Sequence, residues 1–186
     1  MTHSAEPVAP RRARVPLHVL FVCTGNICRS PYAELRAREV WAAADVTMSS
    51  AGVRGYAGRA MDPVMAAELR RRGGDATAFR SHRVGADDLA RADLVVVFEF
   101  SQQMRLWELA PSARAKIFGL AQLTAAAEKL GLIRATSLPK LHRVAHPNSM
   151  TDDIDDPYKR GPKHAAQCAN LIDGYLRRIA TMLPPA

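Results

Sequence analysis

Cys23 and Arg29 enclose five residues in the run Phe21-Val22-Cys23-Thr24-Gly25-Asn26-Ile27-Cys28-Arg29-Ser30-Pro31. The apolar stretch Leu17 to Val22 before the thiol, interrupted by His18, reads as a strand buried on both faces. Ser30-Pro31 reads as the start of a helix, with serine as the cap, proline at the first helical position and Glu34 adding acidity to the first turn. Strand, short loop and helix in that order build an anion site. The loop amides can converge on one centre, the helix presents its positive end, and Gly25 permits backbone turns that other residues resist. Arg29 adds a planar, two-pronged donor matched to phosphate oxygens. An ordinary thiol, with a pKa near 8.5, is only about 3% ionised at neutral pH, so a field built to hold an oxyanion favours the attacking thiolate form. Ser30 could also donate to the sulfur. A cysteine ending a buried strand can be no more than a small apolar residue; strand, loop, arginine and helix start together point instead to a nucleophile in an anion cradle.

The elements that must position this loop alternate between β and α. Val46 to Ser50 reads as a second strand, and Asp62-Pro63 starts a helix that stops at Gly73-Gly74. Leu94 to Phe98 reads as a third strand, Ser101 to Leu109 as a helix, Lys116 to Phe118 as a short fourth strand and Ala121 to Leu130 as a helix. Leu132 to Met150 has no clear periodicity. A last helix, from about Lys163 to Leu183, puts Leu171, Ile172, Tyr175, Leu176, Ile179, Met182 and Leu183 on one stripe. Such alternation implies a parallel sheet with helices on both sides, which binds ligands beyond the carboxyl ends of its strands.

With 186 residues, the chain has the size of one domain, expected over 17–183 behind a disordered basic tail, 1–16. The tail carries Arg11, Arg12 and Arg14 without the apolar stretch of a secretory signal. No apolar run approaches the roughly 18 residues of a membrane span. A net charge of +8 favours anionic partners, but no recognition motif accompanies it, so nucleic acid is not the expected partner. Three cysteines are too few for a disulfide framework and fit a reducing, cytoplasmic compartment.

The segment Cys23 to Arg29 with Ser30 and Pro31 resembles the C-x5-R-S-P signature of low-molecular-weight protein tyrosine phosphatases. The resemblance extends to Ser50-Ala51-Gly52, Asp62-Pro63, Ala92-Asp93 and Asp156-Pro157-Tyr158. It implies an α/β fold: a single-domain three-layer sandwich with a central four-stranded parallel sheet in flavodoxin-like, doubly wound order. It also implies hydrolysis of phosphotyrosine in proteins through a phosphocysteine intermediate, with no cofactor and no metal, and with inorganic phosphate as product and inhibitor. Cys23 would be the nucleophile and Arg29 the phosphate clamp, within a loop of Thr24, Gly25, Asn26, Ile27, Cys28 and Ser30. The acidic run Asp152, Asp153, Asp155 and Asp156 taken alone reads as solvated surface; the resemblance selects Asp156, directly before Pro157, as general acid and base. It also implies that Asn26 holds the loop with Ser30, Ser50 and His82 as hydrogen-bond partners, that Tyr56 and Tyr158 wall a pocket suited to a phenyl ring, and that Cys28 can form a reversible disulfide with Cys23.

Several positions depart from that pattern. Phe98-Glu99 stands where relatives commonly have methionine and aspartate, Lys159 replaces a frequent aromatic or glycine, and the stretch around 130–150, with His142 and His146, is unmatched. A zinc site is not legible, because Cys23 and Cys28 lack a closed ligand set. Phosphoarginine-specific relatives have threonine where this chain has Ile27. An arsenate reductase would need further cysteines, for which Cys168 alone is a poor relay. A non-catalytic phosphoprotein-binding module would not need Cys23, Arg29 and Asp156 together.

Overall fold

The computed structural model describes residues 16–186, so the expected tail lies, except for Pro16, outside the described residues. Four strands, β1 (Leu17–Cys23), β2 (Val46–Gly52), β3 (Leu94–Val97) and β4 (Ile117–Gly119), form one parallel sheet in the order β2-β1-β3-β4. Among the described residues, seven α-helices connect and cover them: α1 (Arg29–Val40), α2 (Pro63–Arg71), α3 (Ala86–Arg91), α4 (Phe100–Leu109), α5 (Leu120–Leu130), α6 (Leu138–Val144) and α7 (Gly161–Ala180). This is the three-layer, doubly wound arrangement expected from the sequence.

The side-chain alternation of β1 explains its near-continuous apolar run. Leu17, Val19, Phe21 and Cys23 enter one core with residues of α1, α5 and α7. Leu20 and Val22 enter a second core on the other face, with Leu89 of α3 and Leu106 of α4. Because the chain first places β2 on one side of β1 and then β3 on the other, a crevice opens between the carboxyl ends of β1 and β3. Cys23 ends β1, and Phe98-Glu99 follow β3 at that place.

The structure corrects several local expectations. α1 begins two residues early, at Arg29, with Cys28 in the cap position and no side-chain cap, so Ser30 lies inside the helix and Pro31 is not its first residue. Asp62 does cap α2, accepting from the amides of Val64 and Met65 at 3.1 Å each. α3 went unforeseen, although Asp87 and Asp88 in its first turn and Arg91 in its last are the charges that a helix dipole prefers. α6 occupies part of the stretch that lacks periodicity, burying only Leu138 and Leu141. On α7 the buried stripe includes Cys168, Ile172, Leu176 and Ile179, whereas Leu171 is exposed. Among the described residues, no helix is long and apolar enough to cross a membrane.

Candidate active site

The loop after β1 is shaped by its contacts with the end of β2. The amides of Val53 and Arg54 donate to the carbonyls of Cys23 and Thr24, each at 2.9 Å. Gly52 makes this approach possible: a Cβ there would lie 2.8 Å from the Asn26 nitrogen and 2.9 Å from both the Gly25 carbonyl carbon and the Thr24 oxygen. All three are backbone atoms, so the loop itself would have to move. Gly52→Ala is therefore expected to cost about 1–3 kcal/mol of stability and to lower the kcat/KM of any reaction at Cys23 at least about tenfold, read by thermal unfolding and steady-state kinetics.

Asn26 holds the loop from within. It is wholly buried at a φ of 54°, a left-handed conformation that asparagine tolerates better than most residues. Its Nδ2 donates to Ser30 Oγ and Ser50 Oγ, each at 2.9 Å, and its Oδ1 accepts from the His82 amide at 2.6 Å. His82 thus serves through its backbone, while its ring faces Asp88 at 2.8 Å. Ser50 Oγ donates in turn to Glu34 Oε2 at 2.6 Å, so Glu34 anchors the network from α1. Both ends of this network are polar groups that burial would leave costly without partners.

The sulfur of Cys23 accepts the Asn26 amide at 3.3 Å and the Ser30 hydroxyl at 3.0 Å. The expected serine contact is thus present, although the expected cap is not. Cys28 and Cys168 are also free and buried, and burial pushes both thiols up, that of Cys168 to about 12. Nearby carboxylates, led by Asp62, add to the effect at Cys28.

Arg29 is 1% exposed. Its Nη1 donates to the Ile154 carbonyl at 2.7 Å and pairs with Glu99, and its Nη2 lies 2.9 Å from Asp156 Oδ2. Burial alone would pull the guanidinium down, but the charges of Cys23, Asp156 and Glu99 more than reverse that. Among the described residues its buried Nε has no hydrogen-bond partner. Glu99, a departure at sequence level, is therefore the carboxylate that orients Arg29. Gln102 was not anticipated: its Nε2 donates to Thr24 Oγ1 at 3.2 Å and to Glu99 Oε2 at 3.0 Å, tying the loop to α4. Nothing in a one-dimensional pattern marks such a residue.

The acidic loop reaches the site along a fixed path. The Ile154 amide donates to the Phe98 carbonyl at 2.8 Å, and Asp153 Oδ1 accepts from the Phe100 amide at 2.6 Å. Asp156 Oδ1 accepts the Tyr158 amide at 3.1 Å, which turns its other oxygen to Arg29. Asp155, by contrast, points to Arg160 at 3.1 Å and is largely in solvent. A cleft of about 400 Å³ is lined by Cys23, Thr24, Gly25, Ile27, Cys28, Arg54, Tyr56, Arg59, Asp156 and Tyr158. The two tyrosines are 65% and 41% exposed; Arg59 lies over the Tyr56 ring at 4.3 Å and Lys159 over the Tyr158 ring at 5.3 Å, which leaves each ring its opposite face for a flat substrate.

Residues 18–133 match the family described as low molecular weight phosphotyrosine protein phosphatase. A low molecular weight protein-tyrosine-phosphatase from Acinetobacter johnsonii is 34% identical over 103 residues, which cover 55% of this chain and 71% of that relative. Among solved structures, the low molecular weight protein tyrosine phosphatase from T. tengcongensis has a TM-score of 0.69 at 28% identity, covering 87% of this chain and 96% of that one. An arginine phosphatase from Geobacillus stearothermophilus has a TM-score of 0.73 at 24% identity, covering 89% and 91%; this likeness is one of fold alone. The family match spans more than half of the sequence and includes the whole cysteine loop, so this chain belongs to the low molecular weight phosphotyrosine protein phosphatase family.

Proposed function

We propose that this protein hydrolyses phosphotyrosine in proteins, with Cys23 as nucleophile, Arg29 as phosphate clamp and Asp156 as general acid and then general base. One observation carries the reading: Cys23 and Asp156, from opposite ends of the chain, line one cleft, and Asp156 pairs with an arginine whose Nε still lacks an acceptor. A phosphate oxygen supplies such an acceptor, and the uncapped start of α1 adds amides to the same cradle.

The substrate phosphate competes with Asp156 for Arg29, which frees the carboxyl group to face the leaving oxygen. The Cys23 thiolate attacks phosphorus, the P–O bond breaks, and Asp156 gives its proton to the leaving phenolic oxygen. The resulting Asp156 carboxylate then takes a proton from water as that water attacks the phosphocysteine. Inorganic phosphate leaves and Cys23 is thiolate again. Negative charge at the transferring group is held by the loop amides and Arg29 throughout. Asn26, Ser30 and Ser50 act as positioning residues, and the product phosphate, fitting the same cradle, inhibits. Three reduced cysteines agree with action in the cytoplasm.

Ile27 and the aromatic walls favour a phenyl ester over a phosphoguanidine. Turnover of phosphotyrosine, phosphoserine and phosphoarginine peptides tests this: phosphotyrosine is expected to lead by at least about tenfold in kcat/KM, and a lead by phosphoarginine would reverse the assignment. Asp156→Ala is expected to slow aryl phosphates with poor leaving groups by about 10²–10³-fold and those with good leaving groups much less. Equal losses for both would remove Asp156 from the acid role.

A further inference from the structure

The cleft lined by Cys23 and Asp156 also carries arginines from outside the cysteine loop. Arg29 is already engaged by Glu99, Asp156 and the Ile154 carbonyl. Two further arginines, Arg54 and Arg59, line the same cleft, and both are exposed. Among the described residues neither side chain has a carboxylate partner, a property they share with other exposed arginines such as Arg70 and Arg83; what sets them apart is their place in the lining of the Cys23 cleft.

Their backbones are not loosely held. The Arg54 amide donates to the Thr24 carbonyl within the cysteine loop at 2.9 Å. The Arg59 amide donates to Ser81 Oγ at 2.9 Å, its carbonyl accepts from the Ser81 amide at 2.7 Å, and the Ser81 hydroxyl donates to the Tyr56 carbonyl. Ser81, 4% exposed, thus straps the Tyr56 to Arg59 turn in place. The Arg59 guanidinium lies 4.3 Å from the Tyr56 ring centroid, a stacked position that orients its plane and leaves its edge donors free.

We propose that Arg54 and Arg59 form a second anion subsite at the mouth of the cleft, which selects phosphotyrosine peptides bearing another anionic group, a carboxylate or a second phosphate, close to the phosphotyrosine. This inference rests on the phosphotyrosine reading above. Cys23 and Arg29 take the phosphate to be removed, Tyr56 and Tyr158 flank its ring, and the two arginines meet the neighbouring negative charge. A neutral neighbour leaves both guanidinium groups to water and gains nothing from them.

Three peptides test the subsite at low, constant ionic strength: phosphotyrosine flanked by alanines, by aspartates, or by a second phosphotyrosine. Wild type is expected to show a kcat/KM at least about tenfold higher for one or both anionic peptides, a preference that shrinks as salt screens the charges. The same comparison in Arg54→Gln/Arg59→Gln is expected to give a ratio within about twofold of one. The relative gain of the aspartate and bisphosphorylated peptides identifies which source of negative charge the subsite takes. Binding of the same peptides to Cys23→Ser, measured by calorimetry, reads the subsite without turnover and is expected to show a similar anionic preference. A wild-type ratio near one, or a preference that survives in the double variant, overturns the subsite even if all three peptides are hydrolysed. Absence of hydrolysis together with a tenfold binding preference overturns the phosphatase reading and leaves the subsite standing.

Discussion

Cys23→Ser is expected to lower hydrolysis of an aryl phosphate by at least about 10⁴-fold in kcat, to the background of the assay. Serine replaces sulfur with an oxygen whose proton is not lost near neutral pH, so the donors that surround the atom have no anion to hold. Those donors, the Asn26 amide at 3.3 Å and the Ser30 hydroxyl at 3.0 Å, remain able to bond the new hydroxyl. The variant should therefore keep its fold, with a melting temperature within a few degrees of wild type. Rapid quenching followed by intact-mass measurement should show one phosphoryl group on wild type during turnover and none on the variant. Turnover within tenfold of wild type would falsify the phosphocysteine route.

The second large effect is expected from Arg29→Lys, which keeps the charge and discards the fork. Arg29 satisfies Glu99, the Ile154 carbonyl and Asp156 from two nitrogens, while among the described residues its Nε has no acceptor. A lysine ammonium is a single point with three donors and cannot reproduce that planar set. We expect kcat/KM to fall by about 10³-fold or more, with the loss in kcat as well as KM, because bonds to the transferring group strengthen in the transition state. Loss of charge-assisted bonds in a buried site should also lower stability by about 1–3 kcal/mol, read from denaturant unfolding. An activity loss below tenfold would show that the clamp is not Arg29. Removing the charge altogether, as in Arg29→Met, would leave Glu99 and Asp156 facing each other without their cation, so its activity loss could not be separated from damage to the fold.

The sequence marks the cysteine loop because the requirements of such a loop are local. A buried strand, five loop residues, an arginine and a helix start are all contiguous, so their physical requirements leave a contiguous mark. The alternation of strands and helices was legible for the same reason: Leu94 to Val97 must be apolar throughout, since both faces of β3 are covered. Where local rules and tertiary contacts competed, the local rules lost. Ser30 has the composition of a helix cap, yet its hydroxyl goes to Cys23 and α1 starts without a side-chain cap. Leu171 falls on the extrapolated apolar stripe of α7, yet α7 packs against α1, α2 and α5 and leaves it 52% exposed.

By itself, then, the sequence determined the order of elements, the two-sided burial of the sheet, and the place of a thiol and an arginine in one phosphate-sized turn. The resemblance singles out Asp156, and tertiary structure is what brings its carboxylate to Arg29. Asp153, Asp155 and Asp156 are chemically alike, and composition does not separate them; the Ile154–Phe98 and Asp153–Phe100 bonds fix the loop so that Asp156 meets Arg29 while Asp155 meets Arg160. Likewise Glu99, Gln102, Arg54 and Arg59 acquire their parts only when β2, β3 and α4 bring them to the end of β1. Contacts between residues far apart in the chain leave no period to read, because their spacing is set by how the layers pack and not by the repeat of any one helix or strand.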